Sequence, residues 1–236
     1  GLQISGAMSE TTPPRASTTV PQRADVAVVT VKTFDTPAAA TALADCTLDG
    51  VCSLQNGMGN ETQLAARLAC PVLAGICTYG ARTVEPGHVE CTGVGEIALG
   101  ARDGGPSKTA TDVGAAFEAA GLDTTVAKDM PRRLWEKLAV NCGINATTAL
   151  ARVHNGAVVD GPAGETARIA AREVAQVARD HGINLSATAA TAAVAEVART
   201  TAANTSSMAQ DVQAGARTEI DAINGYVVDN AADPVP

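Results

Sequence analysis

Every convincing strand-like run in this sequence lies before Pro131, and the stretch from 132 to 233 is patterned for helix throughout. That break constrains the fold more than any motif does. Helices with no strands beside them must bury their apolar stripes against one another, whereas a strand-rich segment must build a sheet. The sequence therefore predicts two domains, 1–130 with an α/β sheet and 131–236 all helical. A length of 236 residues accommodates two modest domains.

Within the first part, "DVAVVTVK" (25–32) is a run of Val and Ala that reads as a strand buried on both faces. A helix is predicted over "TPAAATALADC" (36–46). "GVCSLQNGMGNE" (50–61) predicts a second strand and a Gly-rich turn, followed by a helix over "TQLAARLAC" (62–70). Alternating short strands and helices predict a parallel α/β sheet. Residues 72–100 are dense in β-branched and turn residues and predict strands joined by hairpins, with Glu85-Pro86-Gly87 as one turn. "TDVGAAFEAAG" (111–121) predicts a helix ended by a Gly, and "LDTTVAKDM" (122–130) a last strand.

Charge and cysteine placement remove several classes of function. The formal net charge is -8 with no Lys/Arg cluster, which argues against nucleic acid and against an anionic membrane surface. No apolar run approaches the ~18 residues of a membrane span, and no basic, apolar signal segment opens the sequence. A cytoplasmic protein is the expectation. The six cysteines include no C-x-x-C pair and share no cluster with the histidines, so neither a metal site nor a disulfide framework is expected.

Two Gly-rich stretches could hold a ligand. "QNGMGN" (55–60) follows a predicted strand, where open α/β sheets bind ligands. Gly57 and Gly59 let backbone approach a ligand, and Asn56 offers a donor and an acceptor. An ordinary turn explains the same residues. Gly93-Val-Gly95-Glu-Ile-Ala98 fits G-x-G-x-x-A, a form of the dinucleotide fingerprint. That motif needs a helix opening at its second half. Here "LGARDGG" follows, so the segment reads as part of a hairpin.

"RRLWEKLAVNCGINATTALARVHNG" (132–156) poses a sharper question. Leu134, Trp135, Leu138, Val140, Cys142 and Ile144 point nearly all round a helical wheel, as in a helix built for burial. Yet Lys137, Asn141 and Asn145 recur at intervals of four. Each such step turns about 400°, a drift of only about 40°, so the three form one slanted stripe. A buried unsatisfied polar group costs roughly 1–3 kcal/mol, and an ammonium more. The stripe should therefore face water, a carboxylate or a ligand. A lone lysine reads as a snorkelling surface residue; three aligned polar residues balance that reading against a site. In a site Lys137 is the natural acid or electrophile, since burial lowers a lysine's pKa toward the range a proton donor needs. Asn155, just after the helix, can join from a turn.

A second constellation lies at "NTSSMAQDVQAGARTEIDAING" (204–225), with Asn204, Ser207, Asp211 and Glu219 as candidate polar functions. Asn204 is the predicted helix cap, with Ser206 or Ser207 in the first turn. Pattern alone favours Glu219 and Asp221 as solvated charges.

At these residues the sequence resembles the ketopantoate reductase (2-dehydropantoate 2-reductase) family. "VTVKTFDT" (29–36), "LQNGMGNE" (54–61), "RLWEKLAVNCGINATTAL" (133–150) and the 204–225 segment carry the likeness, in the family's order. The resemblance implies a Rossmann-type domain followed by an all-helical domain, with the active site in the cleft between them. It implies reduction of 2-dehydropantoate to (R)-pantoate, toward pantothenate and coenzyme A, with NADPH as cofactor and NADH left open. Lys137 and Glu219 match catalytic positions. Asn56, Asn141, Asn145, Asn155, Asn204 and Ser207 match substrate-binding positions. Lys32, Asn56, Ala81 and Glu219 match cofactor-side positions. The implied partner is a small 2-oxoacid, with a homodimer among the assemblies allowed.

One departure stands out. The family opens with a strand and G-x-G-x-x-G, which seats a pyrophosphate on a helix N-terminus. No such motif stands before Asp25. The expectation is an incomplete NADP-binding domain, lacking the reader of the 2′-phosphate, and a helical domain shortened at its C-terminus. Two other readings stay open: a reductase of another 2-oxoacid on the same scaffold, or a non-catalytic module.

Overall fold

A computed structural model describes residues 2–12 and 16–232. It divides into two compact units, one of residues 1–31, 35–55 and 61–130, the other of 32–34, 56–60 and 131–236. The first unit holds two sheets. Strands β3 (Arg23–Val29), β4 (Thr47–Ser53), β5 (Val72–Cys77), β8 (Ile97–Ala101) and β9 (Thr124–Val126) lie side by side in that order. β3, β4 and β5 run parallel, as do β8 and β9. β8 runs antiparallel to β5, so the expected parallel strands continue into a mixed sheet. The reversal follows from the connection. Between β5 and β8 the chain makes a hairpin, β6 (Gly80–Glu85) and β7 (His88–Gly93), and returns with no crossover helix, which parallel pairing would need.

Period-two alternation places helices on both faces of the five-stranded sheet. Val51 and Val72 pack with Ala40 of α1 (Thr36–Leu43) and Leu64 of α2 (Asn60–Ala65). Their neighbours Cys52 and Leu73 point the other way, into a cluster with Ala110 and Val113 of α3 (Lys108–Ala119). This is the α/β, Rossmann-like class expected. All six cysteines are free, and burial pushes the Cys52 thiol up to about 12, with the nearby Glu61 charge adding to the shift.

A second sheet has the order β2-β1-β7-β6. Its outer strands β1 (Leu2–Gly6) and β2 (Glu10–Thr12) were not anticipated from the sequence. β1 pairs in parallel with β7, joining segments about eighty residues apart in the chain, a long-range pairing that local pattern does not announce. The rejected G-x-G-x-x-A segment also finds its explanation. Thr78 and Glu96 close the neck of the hairpin through Thr78 N–H to Glu96 O (3.0 Å) and Glu96 N–H to Thr78 Oγ1 (2.8 Å). A Cβ on Gly95 would lie 2.5 Å from the Thr78 carbonyl carbon, so this glycine serves close backbone approach at the neck.

The second unit is helical: α4 (Met130–Ala151), α5 (Gly161–Asp180), α6 (Ala187–Thr200), α7 (Ser207–Gln213) and α8 (Asn224–Asn230). Its core is mostly Ala and Val, among them Ala167, Ala171, Val174, Ala190 and Val194, with Trp135 as its one tryptophan. Small side chains let helices approach closely. A Cβ on Gly143 of α4 would stand 3.0 Å from the Ala167 carbonyl oxygen and 3.1 Å from Val194. Among the described residues, no helix is long and apolar enough to cross a membrane.

Glu61 is buried in the first turn of α2, and burial, the largest influence, raises its pKa above the ordinary carboxylate range. A folded-state pKa raised above the unfolded value favours folding at low pH, and that advantage is lost as pH rises through the folded pKa. Glu61→Gln, which keeps the neutral shape, should raise Tm at pH 7–8 and leave it nearly unchanged near pH 4. A Tm difference that grows as pH falls would contradict this account of Glu61.

Candidate active site

α4 carries the polar stripe inside the helical unit. Trp135, Leu138, Ala139, Cys142 and Ile144 are buried, Lys137 and Asn141 half-buried, and Asn145 is 8% exposed. Gly143 stands two residues, about 200°, from Asn141, so the tight contacts to α5 and α6 lie nearly opposite the stripe. The packing thus fixes the helix on one side and leaves its polar line on the other. The side-chain amides of Asn56, Asn141 and Asn145 have no hydrogen-bond partner among the described residues.

After α4 the chain turns through Arg152, which has a positive φ of 56°. Asn155 then opens a short 3-10 turn and is buried. Its N–H donates to Asn204 O (3.0 Å), and its Nδ2 donates to Thr201 Oγ1 (2.9 Å). Its Oδ1 is buried with no partner, an acceptor left open. Asn155 and Asn204, both expected to contact substrate, are therefore joined by their backbones.

The cap of α7 differs from expectation. Ser206, not Asn204, is the N-cap, and its hydroxyl accepts from Ala209 N–H (3.2 Å). The Asn204 carbonyl is already committed to Asn155. The Ser206 hydroxyl also bonds Thr148 Oγ1 of α4 (2.7 Å), and Thr148 donates to Ile144 O (2.8 Å). Two buried hydroxyls thus link α4 to the start of α7, where Ser207 is exposed. Sequence reasoning did not single out Thr148. A hydroxyl at i+3 from a stripe residue is the one local signal it offers.

A third group forms around Glu219. Pattern favoured a solvated charge here, yet Glu219 is 6% exposed, whereas the Asp221 side chain is 81% exposed. Glu219 Oε1 accepts from Thr33 N–H and Thr33 Oγ1, each at 2.9 Å, and Lys32 Nζ stands 3.7 Å from Oε2. Lys32 also pairs with Asp211 Oδ2 at 2.6 Å. The Thr33 hydroxyl lies 2.9 Å from Asn56 O, which accepts from Asn60 Nδ2 as well (2.9 Å). Lys32, Asn56, Asp211 and Glu219, far apart in sequence, therefore belong to one cluster. Ala81, the remaining expected position, sits exposed on β6 in the first unit, opposite Cys91 of β7. Among the described residues no group of His, Cys, Asp and Glu could hold a metal ion.

Residues 1–104 match the family described as Ketopantoate reductase PanE/ApbA, and residues 129–233 match Ketopantoate reductase PanE/ApbA C terminal. The chain belongs to the ketopantoate reductase family. It is 44% identical over 215 residues to the 2-dehydropantoate 2-reductase of Halobacterium salinarum, spanning 89% of this chain and 70% of the relative. Identity to the enzyme of that name from Archaeoglobus fulgidus is 41% over 212 residues, 89% of this chain and 71% of the relative. The crystal structure of the PanE/ApbA family ketopantoate reductase from Ralstonia eutropha JMP134 matches with a TM-score of 0.86 at 31% identity, over 98% of this chain and 77% of that one.

The loop bearing Asn56 in this ketopantoate reductase family member is pinned by Met58 N–H to Ala222 O (2.9 Å). Gly57 has a φ of 75°, and a Cβ there would lie 2.8 Å from both Ala222 Cβ and O. Gly59 has a φ of 86° but meets nothing nearer than Tyr226 at 3.9 Å. Both positions disfavour L side chains by about 1–2 kcal/mol. Gly57→Ala should cost about 1–3 kcal/mol more than Gly59→Ala in urea unfolding, because only Gly57 is also crowded. Equal losses would show that φ alone governs this loop.

Proposed function

We propose that this chain reduces the ketone of 2-dehydropantoate to (R)-pantoate with NADPH, in the cytoplasm, as a step toward pantothenate and coenzyme A. The observation that carries the reading is the α4 stripe: a half-buried ammonium aligned with two amides that have no partner of their own among the described residues. The family match over the whole of that helix supports it.

In this reading the first unit is the cofactor-binding domain and the helical unit the substrate and catalytic domain. Lys137 hydrogen-bonds the substrate's carbonyl oxygen. Negative charge grows on that oxygen as the carbonyl carbon is reduced; the ammonium stabilises it and then supplies the proton. Asn141 and Asn145 orient the substrate through neutral hydrogen bonds. The open Oδ1 of Asn155 accepts from a substrate hydroxyl, and Asn204 with Ser207 holds the carboxylate. Glu219 fixes the local charge beside them.

The residues present suit the nicotinamide end of a dinucleotide. Lys32 has three N–H donors, of which Asp211 takes one at close range, and its side chain remains 38% exposed. The Asn56 amide is open. Lys32, Asn56 and Glu219 would line this end of the cofactor, and Ala81 is the further position that the family likeness gives to the cofactor. When bound, the cofactor supplies the hydride, while the protein contributes orientation and field.

The test is turnover of 2-dehydropantoate with NADPH and, separately, NADH, comparing the chain with Lys137→Ala. A proton donor contributes about 100- to 10,000-fold, so kcat should fall in that range while circular dichroism and the unfolding midpoint stay unchanged. Near-normal turnover in the variant would remove Lys137 from the mechanism. An unsubstituted chain inactive with both cofactors would overturn the proposal.

A further inference from the structure

We infer that Thr33 is a positioning residue that sets the Glu219 carboxylate and the Asn56 loop in one fixed relation. Thr33 lies in the 29–36 segment that carries the family likeness, but that likeness assigns it no role. The geometry points to it through three contacts. Thr33 N–H and Thr33 Oγ1 both reach Glu219 Oε1 at 2.9 Å, and the same Oγ1 lies 2.9 Å from Asn56 O. A hydroxyl has one proton, so Oγ1 cannot donate fully to both oxygens. The carboxylate is the stronger acceptor when ionised. The shared proton therefore ties the position of Glu219 to that of the peptide after Asn56.

Burial sharpens the argument. Thr33 is 8% exposed and Glu219 6%, so water does not readily replace a lost donor. Glu219 in turn closes its own segment: its carbonyl accepts from Ala222 N–H and Ile223 N–H, each at 3.1 Å. Ala222 O then accepts from Met58 N–H, which returns to the Asn56 loop. Thr33, Glu219, Ala222, Met58 and Asn56 thus form a closed circuit of hydrogen bonds and short chain segments. Its effect on turnover rests on the proposed function; its effect on the circuit does not.

Two variants separate the hydroxyl from the methyl. Thr33→Val keeps the shape and removes the donor, whereas Thr33→Ser keeps the donor and removes the methyl. Hydrogen exchange at the Met58, Ala222 and Ile223 amides is the first readout. Thr33→Val should exchange there about 10- to 100-fold faster, the effect of one hydrogen bond to a charged group, while Thr33→Ser stays near the unsubstituted rate. Turnover of 2-dehydropantoate should follow the same order, with kcat lower in Thr33→Val and recovered in Thr33→Ser. A packing role predicts the reverse order. Thr33→Ser exchanging as fast as Thr33→Val, or Thr33→Val exchanging at the unsubstituted rate, overturns the inference. A chain without reductase activity would overturn the proposed function alone, because the exchange order would still decide the role of Thr33.

Discussion

A carboxylate held away from water must be matched by donors, and the matching of Glu219 shapes the helical unit. An ionised carboxyl buried without partners would cost several kcal/mol. Its donors come from Lys32 and Thr33, 186 residues away in the chain in the case of Thr33. This explains why two short segments, 32–34 and 56–60, belong with the helical unit although each follows a strand of the first unit in sequence. The cluster also carries charge: one ammonium stands near two carboxylates, Asp211 and Glu219. Lys32 offsets one charge, and the remaining negative charge is spread over hydrogen bonds from Thr33.

α4 meets the same constraint in the opposite way. Its Asn141 and Asn145 side-chain amides have no hydrogen-bond partner among the described residues. That is stable only because the rest of the helix is well packed. Gly143 lets α5 and α6 approach, and Trp135, Leu138 and Cys142 are nearly sealed from solvent. Thr148 and Ser206 then fix the far end through a buried hydroxyl pair. A rigid helix can hold amides unpaired because it cannot collapse to satisfy them, which is the preorganisation that a binding site needs.

The amino-acid pattern was informative where neighbours in sequence are neighbours in space. The Val/Ala run before Lys32 became β3, the Ala-rich stretches became helices, and Glu85 to Gly87 became the β6–β7 turn. The K-x-x-x-N-x-x-x-N spacing placed three side chains on one line because helical geometry alone decides that. It failed where distant partners decide. Nothing local marks Glu219 as buried, since its donors come from the opposite end of the chain. The reversal of β8 depends on how a hairpin returns, and β1 depends on a partner at β7. The cap of α7 is Ser206, whose hydroxyl also meets Thr148 of α4, a tertiary contact that no capping rule contains.

The choice of amides along the stripe has an electrostatic consequence. An acid at position 141 would sit at i+4 from Lys137, the spacing at which opposite charges on a helix pair. Such a pair would hold the ammonium to its own helix and offset its charge. Asparagine at 141 and 145 can hydrogen-bond without neutralising, so these two positions add no charge opposite to that of Lys137. The acidic groups gather instead around Lys32, where Asp211 and Glu219 stand. The helical unit therefore sets Lys32 between two carboxylates, while the positions four and eight residues after Lys137 on its own helix carry neutral amides.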